Sequence, residues 1–186
     1  MPHIHTEPGQ HDMTISAYVV RLDSGVAKVL VHMHRKFGKL FQAGGHIELD
    51  ETPWKTVAHE VAEETGYALD ELSVLQPTGH AVAVEGAVIH PVPVFMNTHK
   101  ISDTHYHSDL CYAFVAEKLP AHKPAEGESE DIRWLTLDEL RSEVEKGVAA
   151  KDVYVFYDAI VRRYLPLYTA VPASDYSLDK PADMSF

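Results

Sequence analysis

Residues 45–67 read GHIELDETPWKTVAHEVAEETGY, and the fold can be worked out from this stretch outward. Its centre is a helix with both ends marked. Thr52 is a good N-cap, because its hydroxyl can accept a bond from a free backbone N–H of the first turn. Pro53 suits the first helical position, where its missing N–H costs nothing. Gly66 suits the position just past the last turn, which often takes a positive φ. Between these ends, Trp54, Val57, Ala58, Val61 and Thr65 recur at helical spacing and predict a buried stripe. Glu60, Glu63 and Glu64 stand at i, i+3 and i+4, so their carboxylates crowd together on another face. Like charges so placed destabilise a helix by about 0.2–0.5 kcal/mol per pair, and a cation between them reverses the sign. Carboxylate oxygens are the donors that hard ions such as Mg2+ or Mn2+ prefer. Taken alone, the three glutamates read more readily as a solvated acidic face, since Glu is a common helix former. Their flanks change that reading.

On either side the chain alternates strands and single helices. Residues 14–22 and 26–33 predict two strands joined by a turn at Asp23-Ser24-Gly25. Residues 40–49 carry Gly44-Gly45 and a short extended piece. Residues 71–76, 86–97 and 109–117 predict further strands. Residues 136–146 predict a short acidic helix with Leu137, Leu140 and Val144 on one face. Residues 153–165 predict a second amphipathic helix, ended by Pro166. This order predicts an α/β sandwich, one mixed sheet between helices. Residues 1–12, polar with Pro and Gly, read as a flexible arm that includes His3, His5 and His11. Residues 13–168 read as one domain, and 169–186 as a C-terminal tail that wraps or frays.

The totals limit what the domain can do. The chain of 186 residues is long enough for one sizeable core. Its net charge of -12 with neutral histidines argues against a non-specific nucleic-acid binder. It allows a small phosphorylated substrate if divalent cations lie between the charges. The most apolar stretch, residues 81–96, is interrupted by Glu85 and His90, so no membrane span is expected. The N-terminus lacks the basic and apolar regions of a secretory signal, and a single cysteine, Cys111, fits a reducing compartment. The expected location is the cytoplasm.

The pattern from Gly45 to Tyr67 resembles the signature of the Nudix hydrolases, G-x5-E-x7-R-E-U-x-E-E-x-G-U with U a bulky apolar residue. Gly45, Glu51, Glu60, Val61, Glu63, Glu64 and Gly66 fall in register, and the surrounding elements resemble that domain over roughly residues 14–165. The resemblance implies that Glu60 and Glu64 are direct ligands of Mg2+ or Mn2+. It implies that Glu63 is a ligand of a second ion or orients a water, and that a carbonyl of Gly44 or Gly45 joins the ligand set. Glu51 would hold the loop and helix together through the residue at 59. That residue is the departure: the family's Arg is replaced by His59, which is shorter and titrates near neutrality. If His59 takes the arginine's place, its support of the acid cluster should weaken above a reference pKa of about 6.5. Ala43 also departs, where many members have Pro.

Outside the signature, the segment PAEGESEDIRWLTLDEL resembles the family loop that supplies a further acid. Glu128 is the first choice there, with Glu126 and Glu130 as alternatives. Asn97, His99, His105, His107 and Asp109 are candidates for contacting a base, sugar or phosphate. His105 and His107 would share one strand face, and a second metal site holding Zn2+ is open for the same group. Cys111 reads as a small buried hydrophobe.

By resemblance, the activity is Mg2+- or Mn2+-dependent cleavage of a diphosphate linkage in a nucleoside diphosphate linked to another group. Oxidised dNTPs, ADP-sugars, dinucleoside polyphosphates and non-nucleotide diphosphates are all open. A homodimer is possible. Two rivals remain: a nucleotide-sensing domain that does not cleave, and an isomerase like isopentenyl diphosphate isomerase, which shares the fold and would depend on Cys111.

Overall fold

A computed structural model describes residues 7–78 and 84–179. Among them, nine strands form one mixed sheet. They are β1 (His11–Asp23), β2 (Val26–His34), β3 (Lys39–Phe41), β4 (Ala43–His46), β5 (Leu72–Gln76), β6 (Phe95–Ser102), β7 (His105–Ala116), β8 (Ile132–Leu135) and β9 (Thr169–Pro172). The main path runs β3-β2-β1-β7-β5-β9; β4 pairs with β1, β6 with β7 and β8 with β2. β1 and β7 lie parallel, and the other pairings are antiparallel.

The helices cover both faces, as the sequence predicts. α1 (Pro53–Thr65) lays Trp54, Val57 and Val61 on Ile15, Ala17 and Val19 of β1 and on Tyr112 and Phe114 of β7. α2 (Leu137–Glu145) and α3 (Lys151–Ala159) cover the other face. There Leu140, Val153 and Tyr157 meet Tyr18, Val20, Cys111 and Ala113. Alternate residues of β1 and β7 thus enter two different cores, so both strands are apolar on both sides where the helices cover them, at Ala17–Val20 and Cys111–Phe114. The Tyr157 hydroxyl donates to the Leu30 carbonyl, tying α3 to β2.

Several boundaries differ from expectation. β1 begins at His11, inside the stretch read as an arm, and Asp12 is fully buried; residues 1–6 of that arm lie outside the described residues. β6 begins at Phe95 rather than near residue 86. Pro91 and Pro93 have no N–H to give a ladder. The Gln76 amide pairs instead with Val92, accepting from its N–H at 2.8 Å and donating to its carbonyl at 3.0 Å. The second predicted helix passes from α3 into a π-turn over Ile160–Tyr164 before Pro166. Part of the tail, β9, is a sheet edge paired with β5.

The ends of α1 are built as its sequence indicates. The Thr52 hydroxyl accepts from Lys55 N–H at 3.2 Å, and Gly66 sits at φ 78°. A Cβ at Gly66 would come within 2.2 Å of the His122 carbonyl oxygen. Gly66→Ala should therefore cost more than the ~1–2 kcal/mol of a left-handed alanine. Thr52→Ala should cost about 1 kcal/mol, the loss of one cap. Urea unfolding of the two variants checks this order, and a Gly66→Ala cost below that of Thr52→Ala would refute it.

Candidate metal and substrate site

α1 and β4 bring the acid cluster together. Glu60 and Glu64 are buried, at 6% and 7% exposure, although they belong to the helix's acidic set. Glu64 Oε2 accepts from the Gly44 N–H at 2.8 Å. Glu60 fills the space where a side chain at 45 would begin, since a Cβ on Gly45 would lie 2.0 Å from Glu60 Oε1. Only glycine lets the backbone of β4 come this near the two carboxylates.

Burial dominates the electrostatics. It pushes the Glu60 carboxyl up to about 7 and the Glu64 carboxyl up to about 9, against the Gly44 hydrogen bond, which acts the other way. The Glu128 charge raises both. Among the described residues, no Lys or Arg forms an ion pair with either group. His32 stands beside Glu64, its Nε2 3.6 Å from Glu64 Oε2. Burial, then His34, lowers His32 to about 4, so it stands there as a neutral imidazole. Two desolvated carboxylates beside a glycine backbone, with no Lys or Arg paired to them among the described residues, fit a divalent cation.

Around this pair, Glu63 is half-exposed and lies 3.0 Å from His59 Nε2. His59 Nδ1 is 3.6 Å from Glu51 Oε1, and Glu51 Oε2 accepts from the Thr56 hydroxyl at 2.9 Å. His59 therefore lies between Glu51, the acid expected to contact position 59, and Glu63. The acid loop is hung on α1, with Ala125 N–H donating to the Glu63 carbonyl at 2.8 Å. Of its three candidates, Glu128 is partly buried, while Glu126 and Glu130 are exposed.

The other candidates occupy β6 and β7, where Asn97 faces Asp109 and His99 faces His107. Asp109 is buried and accepts from Thr14 Oγ1 at 2.9 Å, Ser16 Oγ at 2.8 Å and the Cys111 thiol at 3.1 Å. It therefore holds β1 and β7 together. Asn97 donates to Cys111 Sγ at 3.5 Å and contacts His99 at 2.9 Å. His105 and His107 gather with Asp12, away from the glutamates of α1 in sequence and sheet face. Burial and the Asp109 charge push the Cys111 thiol far up, which suits a core residue and not a nucleophile. His32 was not singled out from the sequence. A lone histidine in an apolar strand gives no signal until the fold places it beside Glu64.

The NUDIX domain model matches residues 12–158. The chain belongs to the NUDIX family. As a member it is a hydrolase acting on pyrophosphate bonds, and enzymes of this family generally use a divalent metal. A NUDIX-family hydrolase from Clostridium perfringens is 25% identical, with TM-score 0.63 over 78% of this chain and 92% of that one. The NUDIX domain of Shewanella oneidensis NrtR, solved with ADP ribose, is 16% identical, with TM-score 0.58 over 83% and 88%. The C. elegans Ap4A hydrolase is 13% identical, with TM-score 0.56 over 81% and 97%. The last two likenesses are of fold. Among curated proteins, none matches the chain. No helix of the described residues is long and apolar enough to cross a membrane.

Two outcomes follow for the NUDIX site. In chelator, folding keeps Glu60 and Glu64 protonated at pH values where the unfolded chain has ionised them. The folded state then binds more protons, so stability falls as pH rises from about 4.5 through 7 for Glu60 and through 9 for Glu64. Mg2+ should restore it with proton release, by an amount that grows over the same range; calorimetric melting with and without Mg2+ reads both. Gly45→Ala should displace Glu60 and raise the Mg2+ concentration for half-maximal stabilisation by about tenfold or more.

Proposed function

We propose that this NUDIX hydrolase cleaves the diphosphate linkage of a nucleoside diphosphate joined to a second group, with Mg2+ or Mn2+ held by Glu60, Glu64 and the Gly44-Gly45 backbone. The observation that carries the reading is the buried Glu60–Glu64 pair, packed against β4 with no Lys or Arg paired to it among the described residues. A bound divalent cation supplies shielding of phosphate charge, a more acidic water and a stabilised leaving group.

The protein supplies position and proton acceptance. Glu63 and Glu128 are the carboxylates that can accept the proton of the attacking water. His59 fixes Glu63 from one side, at 3.0 Å. Glu51 and Thr56 fix His59 and the loop from the other. ADP ribose is the ligand solved on the similar Shewanella domain and Ap4A is the named substrate of the C. elegans enzyme. Both compounds carry the linkage proposed here.

Product release from oxidised dNTPs, ADP-sugars, dinucleoside polyphosphates and non-nucleotide diphosphates, with Mg2+, Mn2+ or chelator, tests the proposal. At least one class should turn over only with metal. Glu64→Gln should lower that turnover at least about a thousandfold while circular dichroism stays unchanged. Unchanged turnover in Glu64→Gln overturns the ligand assignment. Tight binding of a compound without release would point to a nucleotide sensor.

A further inference from the structure

On the face of the sheet away from α1, a second group of metal-type donors converges, and its chemistry differs from that of the glutamates. Strand alternation places it there. In β4, Ala43 packs with the α1 core, so Gly45 faces α1 and His46 the opposite side. In β1, Ile15 and Ala17 face α1, so Asp12 shares the side of His46. In β7, Cys111 and Ala113 face α3, and His105 and His107 follow their parity. The pairing of Asp12 with His107 and of Thr14 with His46 then brings all four side chains to the start of β1.

The donor atoms of these residues lie close to one another. His105 Nε2 lies 3.3 Å and His46 Nε2 3.6 Å from Asp12 Oδ2. His46 Nε2 and His107 Nε2 are 3.2 Å apart. Ligand atoms of Asp12, His105 and His107 all lie within 4.8 Å of one another. Donors about 2.0–2.1 Å from a tetrahedral ion stand about 3.3 Å from each other. The rings meet edge to face, at 80° for His46–His107 and 88° for His105–His107, so the imidazoles converge without stacking. Asp12 is fully buried and His105 nearly so, which gives the group a low-dielectric setting.

We propose that Asp12, His105 and His107, with His46 as the fourth donor, bind a d-block divalent cation of the zinc class at a site separate from the NUDIX glutamates. Three imidazoles and one carboxylate suit such an ion. They do not suit Mg2+, which takes oxygen donors and keeps much of its water. Bound there, the ion ties the first residues of β1 to β7 and to the end of β4. The ligand strands are then held on one side by nitrogen donors and on the other by the acid cluster.

Cobalt is the probe. Chelator-stripped, tag-free, full-length protein is titrated with Co2+, whose visible d–d absorption reports a low-symmetry site with nitrogen donors. Expected is one equivalent with a strong band, retained in the Glu60→Gln/Glu64→Gln double variant and lost in His105→Gln/His107→Gln. Because the histidine variant can fail by misfolding, X-ray absorption on zinc-loaded wild-type protein counts imidazoles directly, with two or three expected. Absence of a bound equivalent, loss of the band in the glutamate variant, or a zinc shell of oxygen donors alone would each overturn the proposal.

Discussion

Glu60 occupies the space that any Cβ at position 45 would need, and the N–H of Gly44 donates to Glu64. This contact between a helix and a glycine backbone fixes how α1 meets the sheet. Taking two carboxylates out of water costs several kcal/mol per ion when they are charged. The packing beside them has to offset that. Trp54, Val57 and Val61, all fully buried, carry α1 onto β1 and β7. The apolar stripe and the acidic set are therefore one design: the first presses the helix down, and the second sets what it is pressed against. The same closeness explains why the carboxyls are pushed upward and why a cation is the partner that suits them.

β1 transmits this arrangement across the molecule. It pairs with β2, β4 and β7 and buries residues on both faces. Its α1 side builds the core beneath the glutamates. Its other side changes character along its length, from Tyr18 and Val20 under α3 to Ser16, Thr14 and Asp12 beyond it. Hydrogen bonds replace apolar packing where the helix cover ends. Asp109 takes three donors there, which satisfies a buried carboxylate without a cation.

What the sequence made legible was local chemistry. Thr52, Pro53 and Gly66 marked α1 because caps depend on a few adjacent residues. Glu60, Glu63 and Glu64 could be grouped from their spacing because one helix carries all three. Glu51 and His59 could be paired because the family pattern links them, and the structure puts them 3.6 Å apart. Illegible were features decided by distant pairing. His11 and Asp12 look like an arm until β7 supplies a parallel partner. Residues 86–94 look like a strand until two prolines remove donors and Gln76 replaces a strand with a side-chain amide. β9 is only Thr169–Pro172, too short to show a period and ending in a proline that an edge tolerates. His32 gave no signal, since its meaning lies in Glu64, thirty-two positions on.

The period of two in β4 has a chemical consequence. Gly45 and His46 are neighbours in sequence but serve opposite faces. One admits oxygen donors from α1, and the other adds a nitrogen donor to Asp12, His105 and His107. Two ions with different preferences can thus be served by one four-residue strand without competing for ligands. The arrangement depends on register. A slip of one residue between β4 and β1 would turn His46 toward the glutamates and Gly45 toward the imidazoles. The pairings of Gly44 with Ser16 and of His46 with Thr14 hold that register. The bond from Gln42 to Ser16 at 2.9 Å adds a side-chain tie just before the strand. The short strand is therefore fixed more firmly than its length alone allows, as two chemically distinct sites on its two faces require.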